Sequence, residues 1–315
     1  MTSGPSLAVL SAVLFGASPL LAKVVIQSSA DMTPILLAGL LYLGSGIGLA
    51  LVLAAQRINP VQEIRKLTPA SLSQFSGSIV AGGILAPLAF AYSISSASAF
   101  EVSLLLNLET VTTTAIAFLL FREHVGRHVL LSKGLILLGA VALSVGPTPE
   151  ARISSAALWM VAACVLWGLD NNLTRDLEMI SPTVLAAFKG LVAGLFNLLI
   201  AIPFTERAPP MPVIFGTLVI GAFSYGASLV LFILALRKLG ASRVGTYFAA
   251  GPFFGMLLSI GFLREQPTTF QWASSAIIAF GVWLLSRERH EHLHSHGDLM
   301  HSHPHWPDLE HRHEH

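Results

Sequence analysis

Ten apolar stretches of about 20 residues follow one another along the chain, near 6–27, 32–55, 72–96, 98–120, 129–147, 154–174, 181–203, 213–236, 241–263 and 269–286. At about 1.5 Å per residue a helix of that length crosses the ~30 Å hydrocarbon core of a bilayer. Lipid offers no partner to a backbone N–H or C=O, so a spanning segment is a helix or a strand of a closed barrel. Barrel strands are about 10 residues long and alternate in polarity. These stretches are twice as long and apolar all round, which predicts an all-α membrane protein of about ten transmembrane helices.

Composition points the same way. Charged residues make up 11% of the chain, against about 25% in soluble domains, and the mean hydropathy is +0.71. The lipid bilayer is the first partner that follows. The net charge is +1 and there is no basic run, so nothing in the sequence suggests nucleic acid. One cysteine, Cys164, lies within an apolar stretch; an internal disulfide and the CxxC pairs of zinc or redox sites are excluded. No HExxH, GxSxG or Walker A pattern occurs, so no catalytic activity and no cofactor is expected. Met1–Ser6 carries no Lys or Arg, which reads the first stretch as a permanent span rather than a signal peptide.

Lys and Arg are distributed unevenly between the two sides. Arg57, Arg65, Lys66, Arg122, Arg127, Lys133, Arg175, Arg237, Lys238, Arg243, Arg287, Arg289 and Arg312 fall on one side, and Arg152, Arg207 and Arg264 on the other. The positive-inside rule then places both termini in the cytoplasm of a cell with a bacterial-type inner membrane.

The two halves repeat. Phe121-Arg122-Glu123 closes span 4 and Leu263-Arg264-Glu265 closes span 9; Ser144 follows Arg122 by the distance at which Ser286 follows Arg264. Phe15-Gly16 aligns with Trp167-Gly168, which sets Lys23 opposite Arg175, and Thr33-Pro34 and Ser181-Pro182 open spans 2 and 7. Five spans are an odd number, so the second repeat is expected to cross in the opposite sense, giving an inverted repeat of the kind that surrounds a midplane site in alternating-access carriers. The expected organisation is a first five-helix repeat at 1–147, a linker at 148–153, a second repeat at 154–286 and a disordered, His-rich cytoplasmic tail at 287–315.

With this pattern the chain resembles the drug/metabolite transporter superfamily, EamA-like family. The resemblance rests on Phe15-Gly16 through Lys23, the run from Leu104 to Glu109, and the run from Phe121 to Arg127. In the second half it rests on Trp167-Gly168, Gly251-Pro252 and Leu263-Arg264-Glu265. It implies export of metabolites or drugs, driven by an ion gradient or by exchange. The segment Asp170 to Arg175 and the His-rich tail lie outside the general family pattern.

An ionisable group deep in a bilayer costs about 2.5–3.5 kcal/mol on insertion scales and calls for a reason. Glu109, Lys189 and Asp170 stand out by depth. Glu109 follows Asn107 and precedes Thr112 and Thr113, a face polar over two turns. It reads either as a proton- or amine-binding group or as a packing partner of Lys189. Lys189, among Ala186, Ala187 and Gly190, suits an anion or a substrate carboxylate, or a fixed pair with Glu109 or Asp170. Asp170, Asn171 and Asn172 step about 100° each around a helix and cannot share one face. The expected substrate-binding set is Glu109, Lys189, Asp170, Asn171, Asn107 and Lys23, with Lys23 divided between that role and interfacial anchoring. The Arg-Glu turns read as anchors with local ion pairs.

From His290 onward ten of 26 residues are histidine. His292, His294 and His296, and His301, His303 and His305, alternate as Zn²⁺, Ni²⁺, Co²⁺ or Cu²⁺ ligands would on an extended chain. Divalent metal efflux with the tail as sensor is the alternative to metabolite export; a non-transporting membrane sensor or assembly protein is the alternative of another class. Expected partners are a small-molecule substrate and a divalent metal ion on the tail, with a homodimer left open.

Overall fold

The computed structural model describes residues 3–122, 125–145, 153–175, 177, 180–287, 290–296 and 299–305, the last two as backbone only. The central part of the expected linker and the imidazoles of His292, His294, His296, His301, His303 and His305 lie outside the described residues.

Among the described residues nine helical segments are long and apolar enough to cross a membrane, and two shorter helices together supply a tenth span. They are span 1 (Gly4–Ser28), span 2 (Pro34–Ala55), span 3 (Pro69–Ser96), span 4 (Ala99–Phe121) and span 5 (Arg127–Val145) in the first half. The second half has span 6 (Ser155–Thr174), span 7 (Pro182–Phe204), span 8 (Met211–Leu239) and span 10 (Thr269–Ser286). Span 9 is assembled from two shorter helices, Ala241–Phe248 and Gly251–Leu263. Helix starts follow local chemistry. Ser3, Thr33, Thr68, Ser98, Ser154 and Thr268 each accept a backbone N–H of the first turn. Proline occupies the first turn of spans 2, 3 and 7, where its missing N–H is not needed.

Several spans are broken. Span 1 bends at Ala17, just before Pro19. Span 4 breaks at Leu106–Asn107 and span 9 at Ala249–Ala250, ahead of Pro252. Spans 4 and 9 both end on an arginine in the left-handed conformation, Arg122 (φ 57) and Arg264 (φ 54). Spans 3 and 8 each carry a π-helical segment, Ile79–Leu85 and Gly221–Ala227. Gly221 lies 142 residues after Ile79, as Arg264 lies 142 after Arg122 and Ala249 lies 142 after Asn107. The repeat seen in the Arg-Glu turns therefore extends to the backbone irregularities.

Packing obeys the same relation. A Cβ on Gly139 of span 5 would sit 2.6 Å from Ile278 and 3.0 Å from the Ser274 carbonyl of span 10; one on Gly281 would sit 2.9 Å from both Ile136 and the Ser132 carbonyl. Each helix thus offers the other a glycine, an isoleucine and a serine carbonyl at matching heights. Spans 2 and 7 cross as tightly, with Gly190 against the Gly46 backbone and Gly194 against Leu43. Of the nine long spans, span 3 is the most enclosed and span 10 the least; spans 5 and 10 form a peripheral pair. Leu119, Met211 and Phe262 are at least 70% exposed, a surface suited to acyl chains and not to water.

Beyond span 10 the backbone of His290–His296 pairs antiparallel with that of Leu299–His305, His292 opposite His303. Strict alternation of histidine with other residues has the period of a strand.

Candidate functional site: an ion pair in a central cavity

Lys189, near the middle of span 7, donates to both carboxylate oxygens of Asp170 on span 6, at 2.5 and 2.7 Å. The pair lies in the wall of a cavity of about 300 Å³. Spans 1 and 2 of the first half and spans 6 to 9 of the second contribute to that cavity. Asp170 is buried, with a side chain 10% exposed; the Lys189 side chain is 16% exposed. In so apolar a setting neither charge is tolerable without the other.

Room for the pair comes from the π segment of span 3. A Cβ on Gly82 would lie 1.9 Å from Asp170 Oδ2, and one on Gly83 would lie 3.0 Å from Lys189 Cγ. The wider turn also offers its carbonyls sideways: Tyr42 Oη donates to the Gly82 carbonyl at 2.8 Å, and Trp167 Nε1 donates to Tyr42 Oη at 3.2 Å. Single-turn π bulges recur at functional sites for this reason. The same cavity is lined by a cluster of aromatic rings, the aromatic wall. Phe15 meets Tyr225 edge-on at 6.1 Å and Phe248 at 5.1 Å, Tyr42 approaches Tyr225 at 5.9 Å, and Phe232 meets Phe248 at 5.0 Å. Tyr225 belongs to the π segment of span 8.

Matches to known proteins bear on what such a cavity serves. The EamA-like transporter family matches residues 2–145 and again 154–287. The chain belongs to this family. It is 30% identical over 212 residues to an "Uncharacterized transporter" of Methanothermobacter thermautotrophicus, an alignment covering 64% of this chain and 61% of that protein. The chain thus spans about three fifths of that relative's length. A protein crystal structure superposes with a TM-score of 0.63 over 89% of this chain and 96% of its own, at 18% identity; it shares the fold.

Within this EamA-like protein the residues singled out from sequence separate into three places. Asp170 and Lys189 meet in the cavity. Glu109 is not paired with Lys189: its Oε1 accepts the Asn171 amide at 2.9 Å, and the same amide donates to Thr113 Oγ1 at 3.2 Å. Asn172 turns to the Thr113 and Gly168 carbonyls. The helix is unbroken here, and the three consecutive polar residues fan out, one toward span 7 and two toward span 4. Asn107 donates to the Leu104 carbonyl of its own span and marks the break in span 4.

Lys23 stands apart from the cavity. Its ammonium donates to the Ile94 and Ala97 carbonyls at 2.9 and 2.6 Å, at the end of span 3. Glu265 accepts the N–H groups of Ala99 and Phe100 at the start of span 4, at 2.9 and 2.8 Å. A cation on a helix C-terminus and an anion on the next N-terminus fix one turn from both sides. Glu265 is thus a cap reaching across the repeats, where its sequence read as a local anchor.

Tyr42, Tyr225, Phe248, Gly82 and Gly83 were not among the residues expected at the site. Gly82-Gly83 midway along an apolar span was the available signal; the aromatics look like core or lipid-facing residues until the helices are placed. Among the described residues no group of three or more His, Cys, Asp or Glu gathers in one place.

Proposed function

We propose that the protein is a secondary transporter that exports a small polar, amino-acid-like solute by alternating access, in an inner membrane with both termini cytoplasmic. The observation that carries this reading is the Asp170–Lys189 pair facing a cavity built by spans of both repeats. Charges deep in a membrane mark solute or ion pathways. A cavity between two repeats of five spans, an odd number that reverses the second copy, has the geometry in which one half rocks against the other. The broken spans 1, 4 and 9 and the Lys23–Glu265 clamp, which joins span 1 and the end of span 9 to the span 3–span 4 turn, supply bending points and a latch on one side.

Untargeted metabolite analysis of the medium from cells with and without the protein tests the reading, followed by flux of any enriched solute in proteoliposomes. Export by the wild type and its loss in Lys189→Ala support it. An unchanged medium together with wild-type flux in Lys189→Ala sinks it.

A further inference from the structure

Asp170 and Lys189 are the two charged side chains that line the cavity, one of each sign. They bind each other through two hydrogen bonds and leave no net charge in the wall. Half of the remaining lining is rings, Phe15, Tyr42, Tyr225, Phe232 and Phe248, beside small and aliphatic residues and the hydroxyls of Ser45 and Ser228. Resting on the transporter reading and narrowing it, we propose that the small amino-acid-like solute is polar at its head alone: a net-neutral zwitterion with an apolar body. Its carboxylate and ammonium open the Asp170–Lys189 pair and close it again as a ring of four alternating charges.

The argument is one of charge balance in a poor solvent. A solute with a single positive charge would displace Lys189 from Asp170 and leave that ammonium unpaired; a single negative charge would strand Asp170 in the same way. Leaving one buried charge without its partner is strongly unfavourable. A solute with both charges a few ångströms apart provides a new partner to each side chain as it takes the old one away. The cavity is then neutral both empty and loaded, and both forms can reorient without carrying net charge across the membrane. The aromatic wall does the sorting by body: ring faces and edges are matched by an apolar or aromatic side chain through offset and edge-on contacts, whereas a small polar side chain would meet rings and hydroxyls already engaged within the protein, Tyr42 with the Gly82 carbonyl and Ser228 with the Ser11 carbonyl.

Three probes with one ring and different heads separate the possibilities: phenylalanine (both charges), phenethylamine (cation) and hydrocinnamate (anion), with serine as a zwitterion lacking the body. Competition against tritiated phenylalanine on the purified full-length protein is the readout. The expected result is that each of the other three competes roughly tenfold or more weakly, the size of one lost charged hydrogen bond. Asp170→Asn and Lys189→Met are each expected to abolish phenylalanine binding. In proteoliposomes holding a diffusion potential of about 100 mV, a carrier moving one net charge sets a concentration ratio of about fiftyfold; phenylalanine is expected to reach the same ratio with and without the potential.

Phenethylamine or hydrocinnamate binding as well as phenylalanine, serine binding as well as phenylalanine, no phenylalanine binding, or a potential-dependent ratio would each overturn the proposal. Flux of a singly charged solute with no phenylalanine binding overturns this inference alone. Phenylalanine binding without flux of any solute leaves the charge-pair site standing and removes the transporter reading.

Discussion

Lys189 reaches both oxygens of Asp170 from the neighbouring span, and two glycines of span 3 stand against the pair, Gly82 against the carboxylate and Gly83 against the lysine stem. The pair has been given space by the helix opposite. Breaking it from one side leaves a buried charge, at a cost of about 3–5 kcal/mol. Lys189→Met and Asp170→Asn are therefore each expected to lower the thermal stability of the purified protein strongly. The double variant, with no charge left, is expected to recover much of that loss. Unfolding in detergent of all four forms gives the coupling; losses that simply add would show that the two groups act independently.

Gly82→Ala and Gly134→Ala make a contrasting pair. The first would put a methyl 1.9 Å from Asp170 Oδ2 and must push the carboxylate off Lys189, so transport is expected to fall by at least tenfold, the loss of one charged contact. Nothing lies within 4 Å of a Cβ at Gly134, in the helical interior of span 5, where alanine is favoured over glycine by about 0.5–1 kcal/mol. That variant is expected to melt slightly higher and to transport normally.

Glu265→Gln tests the clamp. The amide retains one acceptor for the Ala99 and Phe100 N–H groups and loses the charge that attracts Lys23. N-terminal caps are worth about 0.5–2 kcal/mol, so a modest drop in melting temperature is expected. Faster hydrogen exchange at residues 97–101 should accompany it. Unaltered exchange there would mean that the cap does not hold the turn.

The Glu63 carboxyl, in the loop after span 2, is held below its usual value of 4.5 by the hydrogen bond from Lys66 and then by the Ser181 N–H. A lowered value in the folded state means that the carboxylate stabilises the fold at pH above about 4.5 and that this contribution fades as pH falls through the lower value. Wild type and Glu63→Gln should therefore differ slightly in melting temperature at pH 7 and converge in acid. A gap that widened as the pH fell would contradict the assignment.

Deleting residues 290–315 is expected to leave solute flux unchanged and to abolish nickel and zinc binding measured by calorimetry on the purified protein. Altered nickel, cobalt or zinc tolerance in cells overproducing the shortened form would favour the metal-efflux alternative.

Much of the architecture was legible because it depends on quantities a sequence states directly. Span length and polarity are written residue by residue, and the Arg-Glu turns expose the repeat. The site was legible in depth but not in direction. Glu109, Asp170 and Lys189 were all recognisable as deep, yet which two meet depends on rotation of each helix about its axis. Sequence left Glu109 and Asp170 as equal candidates for Lys189; the structure gives Lys189 to Asp170 and Asn171 to Glu109. The π segments were hidden for a different reason. Their residues, such as Ile79 and Val80, are as apolar as those of any α-helical turn, so neither hydropathy nor periodicity marks the widening.

The two widened turns also carry a record of descent. A π segment is what remains when one residue is added to an existing helix without unravelling it, and everything beyond it is rotated by about 100°. Two unrelated additions would have had to land on the same position in two different helices, 142 residues apart like the left-handed arginines. A single addition in an ancestral five-helix protein, copied when that protein was doubled, accounts for both. The two copies now differ in use: Gly82 and Gly83 make room for the ion pair, while Tyr225, 142 residues after Gly83, is part of the aromatic wall.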